Sequence, residues 1–188
     1  MNEVELIQVL RSLGWSCGRD EVGDWFCILS VGAVQVQILP TIARRADHCR
    51  VSFMPSVSTK DFTAAAAFIL DEDKSHVPIV ARNLAPLKVT SLPPSDIAVL
   101  SGDILSWAVS QDVEKGLDEY RRLPTSSKGS LPLRHLAALA VAGDVERLSE
   151  YKGNFNRGDR LGFVPYISEC MIDRALTWAG KVRKSSSS

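Results

Sequence analysis

The stretch DWFCILSVGAVQVQILPT, residues 24–41, decides the fold. Val34, Val36 and Ile38 alternate with Gln35 and Gln37. A period of two lays one face of a strand on a core and leaves the other wet, as in an antiparallel sheet. Gly32 suits a tight turn, so strands are expected over residues 24–31 and 33–41. After the polar loop ARRADH, a third strand is expected over residues 49–54.

Working outward, Val4, Ile7, Leu10 and Leu13 repeat at helical spacing, and Gly14 follows as a helix stop. Downstream, Ser58 and Asp61 resemble a capping pair opening the helix TKDFTAAAAFIL. That helix would bury Phe62, Ala65, Ala66 and Ile69, its alanines allowing close approach across the sheet. Asp71, Glu72 and Asp73 would fray its end, since acids oppose the dipole there. A fourth strand fits within residues 76–83 and an edge piece within 87–90.

LPPSD, residues 92–96, stops extended structure and starts a helix. Beyond it the apolar stripes are helical: Ile97, Leu100, Ile104, Trp107 and Ala108; then Val113, Leu117 and Tyr120; and finally Ile167, Met171, Ala175, Trp178 and Val182. Strands followed by helices imply an α+β fold. The expected organisation is an N-terminal antiparallel sheet of three to four strands with flanking helices over residues 1–92, a helical bundle of about five helices over 93–184, and a disordered tail over 185–188.

The 188 residues carry 22 basic and 22 acidic side chains and are 45% hydrophobic. That balance argues against a dedicated nucleic-acid binder and against polybasic membrane recruitment. The acidic start MNEVE is no signal peptide, and no apolar run approaches a membrane span. Cytoplasmic residence is the expectation. Cys17, Cys27, Cys49 and Cys170 form no CxxC pair and no disulfide framework, and Cys27 and Cys170 read as buried apolar residues.

Hydrolase, phosphate-loop, zinc-protease and dinucleotide motifs are all missing. An enzyme is therefore not expected, nor a cofactor or a metal. His48 and Cys49 are strand neighbours that point to opposite faces. An enzyme without a motif would draw on Asp20, Asp24, His48 or His135 in a pocket. The turn GRDEVGDW gathers Asp20, Glu21 and Asp24 beside Trp25, the composition of a solvated turn or of an acidic edge that meets a basic partner. Residues 130–144, SLPLRHLAALAVAGD, resemble a single ankyrin unit, which implies an antiparallel helix hairpin. Arg157, Gly158 and Asp159 spell an integrin tripeptide, but in NRGDRLGFVPY they read as a helix connection. That connection leaves Arg157 and Arg160 at a rigid corner suited to partner contact.

GDWF at residues 23–26, GDVERLSEY at 143–151 and FNRGDRLGFVPYISECMIDRA at 155–175 resemble small bacterial immunity proteins of polymorphic-toxin and type VI secretion systems. The resemblance implies a cytoplasmic monomer or dimer that binds and neutralises a cognate toxin. Asp20, Glu21, Asp24, Trp25, Arg157 and Arg160 are the candidate contacts. The order helix, three strands, helix, strand also resembles bacterial secretion chaperones. These would grip an extended effector segment, usually as dimers.

Overall fold

A computed structural model describes residues 1–73 and 76–186. The fold is α+β, with antiparallel sheets in the N-terminal part and a helical C-terminal part. The chain divides into two compact units, residues 1–59 with 78–111 and residues 60–77 with 112–188. The division therefore does not fall at the expected boundary after Leu92. The helix that follows LPPSD belongs with the sheets, and the alanine-rich helix belongs with the later helices.

The first unit opens with α1 (Glu3–Ser12) and β1 (Ser16–Arg19). Asn2 accepts the Glu5 N–H at 2.9 Å while Glu5 accepts the Asn2 N–H at 2.8 Å, a reciprocal cap. The buried face of α1 is Leu6, Ile7 and Leu10. Val4 and Leu13, expected inside, are 55% and 37% exposed.

Next come β2 (Trp25–Val31), β3 (Val34–Ile38), β4 (Thr41–Arg44), β5 (Cys49–Ser52) and β6 (Ser56–Thr59). They form two antiparallel sheets with β7 (Val80–Ala81) and β8 (Leu87–Val89): β1-β2-β3-β6-β7 and β4-β5-β8. Among the described residues, eight strands replace the three or four expected. One reason is that a single long hairpin is cut twice. Val34 faces Thr59, Gln37 faces Ser56, Thr41 faces Ser52 and Arg44 faces Cys49, so the pairing keeps one register from end to end. Pro40 and Pro55 interrupt it because proline cannot donate to the ladder. The Leu39 N–H still bridges to Phe53 O at 2.7 Å between the two parts. Ser58, read as a helix cap, instead sits buried in β6. α3 (Pro94–Val109) closes the unit. Its Ser101 hydroxyl accepts the Trp15 indole N–H at 2.9 Å, both residues being buried.

Cys17 and Cys27 are directly opposite on β1 and β2, 4.0 Å apart between Cα atoms, and form a disulfide. This corrects the expectation that the cysteines are unpaired. Cys27 is buried as expected, but Cys170 is exposed. Closing so short a loop removes unfolded-state entropy worth about 2.5 kcal/mol. Reduction with dithiothreitol should therefore lower the melting midpoint by about 5–10 °C. A shift below about 1 °C would show that the bond does not stabilise the sheet.

The second unit contains α2 (Lys60–Leu70), α4 (Val113–Arg121), α5 (Leu131–Val141), α6 (Val145–Asn156) and α7 (Glu169–Ser186). α5 is its centre: Leu133, His135 and every residue from Leu136 to Ala140 are buried. A helix apolar all round can only be wrapped by others, and here α2, α4, α6 and α7 surround it. The α2 alanines pack against α5 and α7 rather than across the sheet. Asp71 does not fray, because Arg174 holds it at 2.6 Å while also donating to Ile69 O at 3.1 Å. Asp144 caps α6 by accepting the Arg147 N–H, which completes the antiparallel hairpin expected from residues 130–144. The expected tail begins inside α7, and residues 187 and 188 lie outside the described residues.

Candidate functional site

The acidic turn between β1 and β2 is a built tip. One Asp20 carboxylate oxygen accepts the N–H groups of Val22 at 3.0 Å and Asp24 at 2.8 Å. The Asp20 N–H donates to Asp24 O at 3.0 Å, closing the turn from the backbone side. Gly23 takes φ +91°, a conformation that side-chained residues rarely adopt. Arg19 donates to the Gly23 carbonyl at 2.9 Å, and its guanidinium lies 4.5 Å from the Trp25 ring centre. Arg11 approaches the same ring at 5.7 Å. Trp25 is thus a partly buried brace, and Asp20 spends its charge inside the turn. Glu21, Asp24 and Val22 remain outward, Val22 at 82% exposure.

Arg157 and Arg160 belong to the helical unit, whereas Asp20, Glu21, Asp24 and Trp25 belong to the sheet unit. Arg157 bonds Asn154 at 2.8 Å. Arg160 donates to the carbonyls of Val164, Pro165 and Ile167 at 3.0, 3.2 and 2.7 Å, and lies over the Phe155 ring at 5.2 Å. It is the clamp of the α6–α7 connection. Asp159 accepts the Leu161 N–H at 2.8 Å, and Phe163 is buried against Tyr151 and Phe155. Gly158, at φ +81°, lets the helix end and the chain reverse.

The four residues considered for a motif-free pocket are likewise split: Asp20, Asp24 and His48 lie in the sheet unit and His135 in the helical unit. His48 bonds its neighbour Asp47 at 2.7 Å. His135 is buried in the helical unit, with Nδ1 2.8 Å from Tyr120 O and Nε2 3.0 Å from the Tyr151 hydroxyl. A carbonyl only accepts, so Nδ1 carries the proton and Nε2 accepts from Tyr151. Burial pushes the His135 pKa down, against the raising effect of the Tyr120 bond. Burial pushes the Tyr151 phenol up.

In the sheet unit, an open depression of about 490 Å³ runs beside α1, lined by Met1, Glu5, Gln8, Val9, Leu92 and Pro94 among others. Its Glu5 carboxylate is committed to the helix cap. Among the described residues no group of three or more His, Cys, Asp or Glu side chains is placed to hold a metal ion, and no helix is long and apolar enough to cross a membrane.

Sequence reasoning passed over Arg45, Arg50 and Lys88, which line the outer face of the β4-β5-β8 sheet. ARRADH reads as a loop because Pro40 masks the continuation of the hairpin. Extending the alternation through that proline would have placed Arg50 opposite Ala43.

Neither the tip nor the helical connection brings reacting groups together, and both consist of side chains braced at a surface. No curated protein and no solved structure matches the chain. Residues 2–180, nearly all of it, match the family of unknown function DUF6990, and it is to this family that the protein belongs.

Proposed function

We propose that the protein is an immunity-type inhibitor that binds a cognate bacterial toxin stoichiometrically, with the β1–β2 tip as a principal contact. The observation that carries this reading is the bracing of the tip. Asp20, Arg19 and Gly23 fix its backbone, while Glu21, Asp24 and the 82%-exposed Val22 face outward. A loop already held in one conformation loses little entropy on binding. Two carboxylates around an exposed apolar residue complement a basic cleft with an apolar patch, as a nuclease active site would offer. The basic counterpart in the helical unit is Arg157, exposed beside Asn154, with Arg160 shaping the loop under it. Cytoplasmic residence belongs to this proposal. In that compartment Cys17 and Cys27 would be found as thiols, because disulfides persist in oxidising surroundings.

The test substitutes outward side chains and leaves the brace intact. Tagged protein and a Glu21→Lys/Val22→Ser variant are used to capture partners from source-cell lysate, and the captured protein's activity is assayed with each. The expected result is one stoichiometric partner whose activity is blocked, with the variant binding about 30-fold or more weakly at an unchanged melting midpoint. Equal affinity for both proteins would remove the tip from the interface. A partner bound but not inhibited would replace inhibition with delivery.

A further inference from the structure

The sheet β4-β5-β8 has β5 in the middle, so β4 and β8 each leave one edge without a strand. Arg50 on β5 stands between Ala43 on β4 and Lys88 on β8. Arg45, two residues beyond Ala43, continues that face beside a turn closed by its N–H to His48 O at 2.8 Å. Arg45, Arg50 and Lys88 are all exposed, while Val51, on the opposite face, is buried. Their neighbours Thr41, Ala43 and Ser52 are too short to cover them. Among the described residues none of the three cations forms an ion pair. Asp47, the acid at the end of this arm, is bonded to His48.

Like charges directly opposite on paired strands repel. A lysine on an edge strand guards against unwanted pairing, which accounts for Lys88 alone. Arg50 occupies the central strand, where edge protection has no use. The pair is held against the stability of its own sheet, next to an open row of backbone donors and acceptors on β8.

We propose that this face binds an extended acidic segment of a partner polypeptide, added as a strand beside β8. The backbone of Leu87–Val89 would supply the ladder. Side chains two apart share a face of a strand, so alternate carboxylates of the segment meet the row formed by Lys88 and Arg50. Leu87, 40% exposed on the other face, meets the apolar residues between them. This contact is separate from the β1–β2 tip and does not depend on the inhibitor reading.

The probe is a fluorescein-labelled peptide of alternating Glu and Val, followed by anisotropy, with oligothymidylate of equal charge as comparator. The expected result is saturable peptide binding in preference to the oligonucleotide, with slowed amide exchange at Leu87–Val89. Arg50→Glu converts the repelling pair into an ion pair with Lys88. It should weaken peptide binding about tenfold or more while raising the melting midpoint by about 2 °C. The Glu21→Lys/Val22→Ser variant should bind the peptide as the parent does. Peptide binding indifferent to Arg50→Glu, or without protection of Leu87–Val89, overturns the proposal. Tighter binding of the oligonucleotide would assign the face to nucleic acid. Failure of both probes at millimolar concentration would reduce the cations to edge protection.

Discussion

Replacing His135 with alanine will lower the unfolding free energy by about 4 kcal/mol. His135 sits in α5, the helix the other four surround, and it is 1% exposed. It is the one side chain that bonds both the Tyr120 carbonyl, at the end of α4, and the Tyr151 hydroxyl, in α6. Removing it empties a volume beside Tyr151 and Phe163 and leaves the buried Tyr151 hydroxyl without its acceptor. A cavity and an orphaned buried polar group each cost about 1–3 kcal/mol. Urea unfolding followed through Trp178 fluorescence reads the helical unit directly. A loss under about 1 kcal/mol would mean that the neighbouring rings collapse into the space and that the network is dispensable.

Acid will destabilise the same unit before its carboxylates are protonated. Burial lowers the His76 pKa from 6.5 to about 4, and burial also lowers that of His135. Both folded values lie below the unfolded one, so between about pH 6.5 and 4 the unfolded chain holds more protons. The stabilisation is complete above about pH 6.5 and is lost as the pH falls through that window. His76 alone accounts for about 3 kcal/mol at most. Melting midpoints measured from pH 7.5 to 4.5 should fall steadily below pH 6.5, and less so in His76→Gln. A flat profile down to pH 4.5 would show that neither imidazole is held neutral by the fold.

How far the sequence carried depended on whether local pattern or distant register set each feature. The glutamine alternation in β3 is local and placed the sheet at once. Its continuation was hidden because Pro40 and Pro55 look like terminators, although the pairing register passes through both positions unchanged. β1, Ser-Cys-Gly-Arg, has no apolar alternation, so neither the strand nor the disulfide depending on its register with β2 could be read. The α2 alanines correctly signalled close packing, but their partner was another helix, a choice that composition does not encode. Of the candidate contacts, the turn residues were legible because Asp and Gly have local conformational meaning. Arg160's attachment to three carbonyls was not, since it follows from how the loop folds back. Arg50 and Lys88 lie 38 positions apart and meet only through strand pairing.

The chain passes from one compact unit to the other at residue 60, returns at 78 and leaves again at 112. During synthesis, therefore, the sheet unit cannot be completed until α3 has emerged, and α2 must wait for α5 and α7 before its alanine face is covered. A gene fragment cut at the tempting LPPSD junction would encode neither unit: the sheets would lack their closing helix, and α2 would be an exposed apolar surface prone to self-association. The smallest heritable piece of this architecture is close to the whole of it.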